Sequence, residues 1–143
     1  MNNVTPIWRG NTKLAYYLLA LSPDDFNQNK SLLIDSIGWF DEGDGIDEQM
    51  TIWIEVSKLP EALQSYLVTN ESYNCITLKF TTGPTSLLDV GITASVSNAL
   101  ALKNIPCNIL AAGKYDHVFI PVENGEEAMK TIADMKENGE KKR

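Results

Sequence analysis

Short apolar segments alternate with polar, turn-rich stretches along the whole chain. Residues 1–12 are polar and irregular in pattern. Lys13 to Leu21 (KLAYYLLAL) is short, aromatic and apolar, bounded by Gly10-Asn11 before it and Ser22-Pro23 after it, and it predicts a buried strand. Ser22 to Ser31 (SPDDFNQNKS) predicts a polar loop. Ser31 to Phe40 is ambiguous: Leu33, Ile37 and Phe40 have helical spacing, but the segment runs into a turn-rich stretch. Met50 to Val56 (MTIWIEV) alternates, with Ile52, Ile54 and Val56 on one side and Thr51, Trp53 and Glu55 on the other, as a strand does. Ser57 then has the chemistry of an N-cap and Glu61 sits in the first turn, which predicts a helix to about Leu67.

The second half is more regular. Cys75 to Phe80 (CITLKF) alternates and predicts a strand. Val90 to Lys103 carries Val90, Val96, Ala99, Leu100 and Leu102, with small residues between them, as a helix packed closely on a sheet would. Ile105 to Ala111 and His117 to Val122 predict two strands joined near Gly113-Lys114. Glu126 to about Glu137 predicts an amphipathic helix with Ala128, Met129, Ile132 and Met135 inside. The second half therefore reads β-α-β-β-α and the first half resembles a degenerate copy of it. The expected fold is α+β: tandem ferredoxin-like βαββαβ units, with antiparallel sheets and helices on one face. The expected units are 1–72 and 73–137, followed by a frayed tail at 138–143. A unit of about 70 residues is marginal alone, so the two should pack together or oligomerise.

Charge and composition narrow the function. The 143 residues carry 12 Lys and Arg against 19 Asp and Glu, a net charge of −7. Duplex nucleic acid is held by clustered cations, and the chain has only Lys141-Lys142-Arg143. Nucleic acid and membrane are therefore not expected partners. The longest apolar run, Leu14 to Leu21, is far short of the roughly 18 residues a span requires, and the first residues do not read as a signal peptide, so a cytoplasmic protein is expected. Cys75 and Cys107 are then reduced thiols, and the single His117 excludes metal motifs that need two histidines. The acidic stretch Asp41 to Glu48 does not register as a calcium loop: with Gly45 as the turn glycine, the first and twelfth ligand positions fall on Phe40 and Thr51. It reads as a solvated hairpin loop. Nucleophile-elbow, P-loop and dinucleotide-binding motifs are absent. Cys107 and His117 are the only Cys/His pair close in sequence, and Cys107, placed at the start of an apparently central strand, reads as a packing residue. Trp8, Trp39 and Trp53 read as core or interface anchors.

The segment Thr85 to Pro121 (TSLLDVGITASVSNALALKNIPCNILAAGKYDHVFIP) resembles an ACT domain, a small regulatory module that binds amino acids. The resemblance rests on Gly91, then Val96 and Leu100 in the helix, then Ile105. It is stronger to short, stand-alone tandem ACT proteins of uncharacterised function, through Ser86 to Ser97, Ile105 to Asn108, and Asp116 to Pro121. Gly113, Lys114 and Tyr115 depart from that subfamily, which tends to carry aromatic residues or His there. The resemblance implies a non-enzymatic regulatory protein that binds a free amino acid between ACT units, without a cofactor or metal. It would act through a homodimer or higher homo-oligomer, or through a regulated protein partner. The implied ligand-binding residues are Thr85, Ser86, Leu87, Asp89, Val90, Gly91 and Ile92 in the loop and helix start, with Asn108, Ile109 and Asp116. A helix start favours a carboxylate, Asp89 and Asp116 could accept an ammonium, and the Asn108 amide offers both donor and acceptor. The alternative is a ligand-free structural or protein-interaction module. Asp116 and His117 alternate along one strand, so they point to opposite faces and form no adjacent acid–base pair.

Overall fold

The computed structural model describes residues 4–80, 92–112 and 114–141. In chain order its principal elements are β1 (Val4–Trp8), β2 (Ala15–Leu21), α1 (Pro23–Gln28), β3 (Gly38–Asp41), β4 (Met50–Glu55), β5 (Tyr73–Phe80), α2 (Ile92–Ala101), β6 (Asn108–Ala111), β7 (Asp116–Pro121) and α3 (Gly125–Lys141). They form two compact units: Ala15–Ser72, and Met1–Leu14 together with Tyr73–Arg143. Residues 1–14, placed by sequence pattern in the N-terminal unit, thus belong with the C-terminal one.

In that C-terminal unit the strands run antiparallel in the order β1-β5-β7-β6. The expected β-α-β-β-α order is present as β5-α2-β6-β7-α3. The strand beside β5 is β1, not one that follows α3. The reason is chemical: KENGEKKR after Met135 has no apolar alternation, whereas Val4, Pro6 and Trp8 can present one face to the core. Val4 is opposite Phe80 and Trp8 opposite Ile76. The expected irregular stretch at residues 1–12 is thus in part a strand; five residues bracketed by Asn and Gly give little local signal, and pairing supplies the rest. Both helices cover one face of the sheet. Val96 and Leu100 of α2 and Ala128 and Ile132 of α3 share a buried cluster with Val4, Ile76, Leu78, Ile105, Val118 and Ile120. The helix α3 continues to Lys141, past the expected fraying point at 138.

The inserted unit has the antiparallel order β3-β4-β2. Its core is Leu19, Leu21, Phe26, Leu33, Met50, Ile52, Ile54 and Leu63. The expected polar loop at residues 22–31 contains α1. Ser22 Oγ accepts a hydrogen bond from the Asp25 amide at 3.1 Å, Pro23 occupies the first helical position, and Asp24 and Asp25 lie in the positive first turn. The helix predicted from Ser57 to about Leu67 is instead two 3-10 turns, Val56–Lys58 and Glu61–Tyr66. Pro60 separates them with an extended ψ of 142°, and Ser57 Oγ donates to Glu55 Oε1 rather than capping. Where a fourth strand would lie there is a single bridge, Leu67 to Leu19. This unit, with three strands and one short α-helix, is therefore not the expected βαββαβ unit.

Candidate functional site

The candidate site begins at Asp116, the first residue of β7. It is opposite Leu78 of β5 and Ala111 of β6. It sits on the helix-covered face with Leu78, Val118 and Ile120, and it is only 3% exposed. Its Oδ1 has no hydrogen-bond partner among the described residues. Burial pushes its carboxyl above the ordinary carboxylate value. A buried, unpaired carboxylate oxygen is costly, so it needs a reason. From the end of β5 beside it, the chain passes through residues 81–91 into α2.

His117, the next residue, points to the other face. Its Nδ1 lies 3.2 Å from Thr77 Oγ1, and burial followed by nearby Arg9 holds its pKa below the ordinary value. The alternation that separates His117 from Asp116 is as the sequence predicts.

Of the remaining expected ligand residues, only Ile92, Asn108 and Ile109 are among the described residues. Thr85, Ser86, Leu87, Asp89, Val90 and Gly91 lie outside the described residues. Ile92 opens α2. Ile109 is opposite Val118, on the same face of the sheet as Asp116, and is half-buried against the core. Asn108 is exposed and opposite Phe119, three residue positions from Asp116 along the hairpin and on the other face. Strand alternation therefore keeps Asn108 and Asp116 apart. Asn108 instead lines a shallow pocket of about 200 Å³ with Tyr73, Pro106, Cys107, Phe119 and Pro121.

Cys107 does not start a central strand, because β6 is at the sheet edge. It is half-buried, and burial raises its thiol pKa while a hydrogen bond with Ser97 opposes the shift. Cys75 is fully buried, and desolvation pushes it up to about 12 although Arg9 pulls the other way. Neither has the depressed pKa of a nucleophile. Among the described residues no three His, Cys, Asp or Glu side chains come together to hold a metal. No described helix is long and apolar enough to cross a membrane. Sequence reasoning did not single out Asn74, whose Nδ2 donates to the Leu14 carbonyl at 3.0 Å and whose buried Oδ1 has no partner among the described residues. A polar residue at the start of an apolar strand was the only signal.

An antiparallel sheet with two helices on one face, in the order β-α-β-β-α, is an α+β arrangement of the kind the sequence pattern predicts. No family model matches the chain, and no curated protein matches it. Solved structures do. A Vibrio cholerae protein of unknown function, described as a possible transport protein, is 22% identical with a TM-score of 0.67, over 94% of this chain and 91% of that one. The regulatory subunit of aspartate kinase from Thermus flavus is 15% identical with a TM-score of 0.57, over 92% and 95%. Aspartate kinase from Clostridium acetobutylicum, described as an allosteric enzyme, is 14% identical with a TM-score of 0.59; the match covers 92% of this chain but 33% of the kinase. At these identities the likeness establishes the fold.

Proposed function

We propose that this protein is a non-enzymatic regulatory protein that binds a free amino acid, with Asp116 accepting the ligand's ammonium. The observation that carries the proposal is the buried Asp116 carboxylate, one oxygen of which has no partner among the described residues. An ammonium offers three donors and a positive charge, which meets both the hydrogen-bond and the electrostatic demand of that group. The start of α2 and the sequence Thr85 to Gly91 take the ligand's carboxylate, where free helix amides favour an anion. The structural likeness to an aspartate kinase regulatory subunit supports a regulatory role. Output passes through homo-oligomer assembly or a protein partner in the cytoplasm. The ligand can drive either only by binding one state more tightly than another.

The test is a thermal-shift screen of the twenty amino acids at about 10 mM, repeated on Asp116→Asn. A ligand at about 100 times its Kd stabilises by about 2.7 kcal/mol, a shift of roughly 5–10 °C for a chain of this size. One or two hits that disappear in Asp116→Asn are expected. No hit from any amino acid refutes the proposal and favours a ligand-free interaction module. A hit that Asp116→Asn leaves unchanged places the ammonium elsewhere.

A further inference from the structure

A second site lies in the inserted unit and is independent of Asp116. Between α1, the 3-10 turn Lys30–Leu33 and β3 is an open cleft of about 400 Å³ lined by Phe26, Lys30, Ser31, Leu33, Ile34 and Trp39. That volume is in the usual range for small-molecule sites, about 300–1,000 Å³. Its floor is the buried pair Phe26 and Leu33. Its walls are unusually apolar for exposed residues: Trp39 is 55% exposed and Ile34 83%. Phe26 and Trp39 form a tilted pair with centroids 5.6 Å apart, so each wall has a preset orientation while much of the indole still faces solvent.

The charge in the cleft decides what chemistry fits. Lys30 Nζ stands 5.7 Å from the Phe26 ring centroid, beside the apolar floor. No carboxylate pairs with it among the described residues. In a chain of net charge −7, an unpaired cation against an aromatic wall is out of keeping with its surroundings. The adjacent Ser31 adds a hydroxyl donor.

We propose that this cleft binds a small carboxylate with a flat aromatic body. The ring lies against Trp39 and Ile34 over Phe26, and the carboxylate meets the Lys30 ammonium. The apolar body accounts for the exposed aromatic and aliphatic walls, and the anion accounts for the unpaired cation.

The test uses 3-phenylpropionate, with uncharged 3-phenylpropanamide as its isostere. The Trp39 indole N–H signal is followed by nitrogen–proton NMR and assigned with Trp39→Phe. The acid should shift that signal saturably, leaving the Trp8 and Trp53 signals in place. Lys30→Gln should weaken the acid about fivefold to tenfold, the effect of losing one charge-assisted contact at an open site. The amide should bind wild type no more tightly than the acid binds Lys30→Gln. Because Lys30 is exposed, an unchanged melting curve will show that this variant is folded. Three results overturn the proposal: no saturable shift at about 10 mM acid, equal affinity for acid and amide, or a Trp39 shift that follows protein concentration without ligand. The last would assign the cleft to a second copy of the chain.

Discussion

Replacing Gly125 by Ala should destabilise the protein, against the ordinary expectation for a helix. Gly125 opens α3 with φ −59° and ψ −48°, a conformation open to any residue. By propensity alone, Gly→Ala in a helix gains about 0.5–1 kcal/mol. A Cβ there, however, would overlap Asn74 Oδ1 and lie 3.1 Å from its Cγ. Asn74 is 3% exposed and cannot swing aside freely, because its Nδ2 holds the Leu14 carbonyl at 3.0 Å. Moving it breaks that bond, at about 1–3 kcal/mol for buried groups left unpaired. The net expectation is a loss of about 1–2 kcal/mol, or roughly 3–6 °C in Tm. Asn74→Ala removes the obstacle along with the hydrogen bond. On that background Gly125→Ala should be neutral or stabilising, giving a coupling of at least about 1 kcal/mol in a double-mutant cycle. Urea denaturation followed by circular dichroism measures all four proteins. A single Gly125→Ala variant as stable as wild type, or purely additive changes, would refute the reasoning.

Other outcomes follow from the same structure. Asp116→Asn should raise the Tm of the ligand-free protein at neutral pH. An acid raised above 3.8 when folded binds more protons folded than unfolded, so wild-type stability falls as pH rises from that ordinary value through the raised one. The Asn variant should lose that fall, and a pH–Tm profile with the same slope in both proteins would count against it. A thiol reagent should modify half-buried Cys107 first and Cys75 only on unfolding; simultaneous labelling of both in the native protein would contradict the burial. Ser22→Ala should cost about 0.5–2 kcal/mol by removing the α1 cap, and an unchanged denaturation midpoint would show the cap to be unimportant.

Sequence pattern alone determined the elements whose apolar period matches their final environment. Ile52 and Ile54 of β4, Ile76 and Leu78 of β5, Val96 and Leu100 of α2, and Ala128 and Ile132 of α3 are buried as alternation or helical spacing selects, whereas Leu102 is exposed and Trp53 is buried on the opposite face of its strand. The separation of Asp116 from His117 was equally legible, because strand geometry is local. It was otherwise where partners come from far along the chain. Little local in Val4–Trp8 marks it as a strand; antiparallel pairing with β5, some 70 residues later, makes it one. The helix α1 carries its cap in the sequence, yet its six residues bury only Phe26 and give too little periodicity to see. Pro60 likewise turned a plausible helix into two 3-10 turns. For the candidate site, the sequence supplied Asp116 as a carboxylate, and only folding buried it and left its Oδ1 without a partner among the described residues. The sequence could not show that Asn108 faces away from it, nor that Phe26, Lys30 and Trp39 meet around one cleft. Burial, register and the meeting of distant residues are properties of the packed chain, since each depends on which surfaces exclude water together.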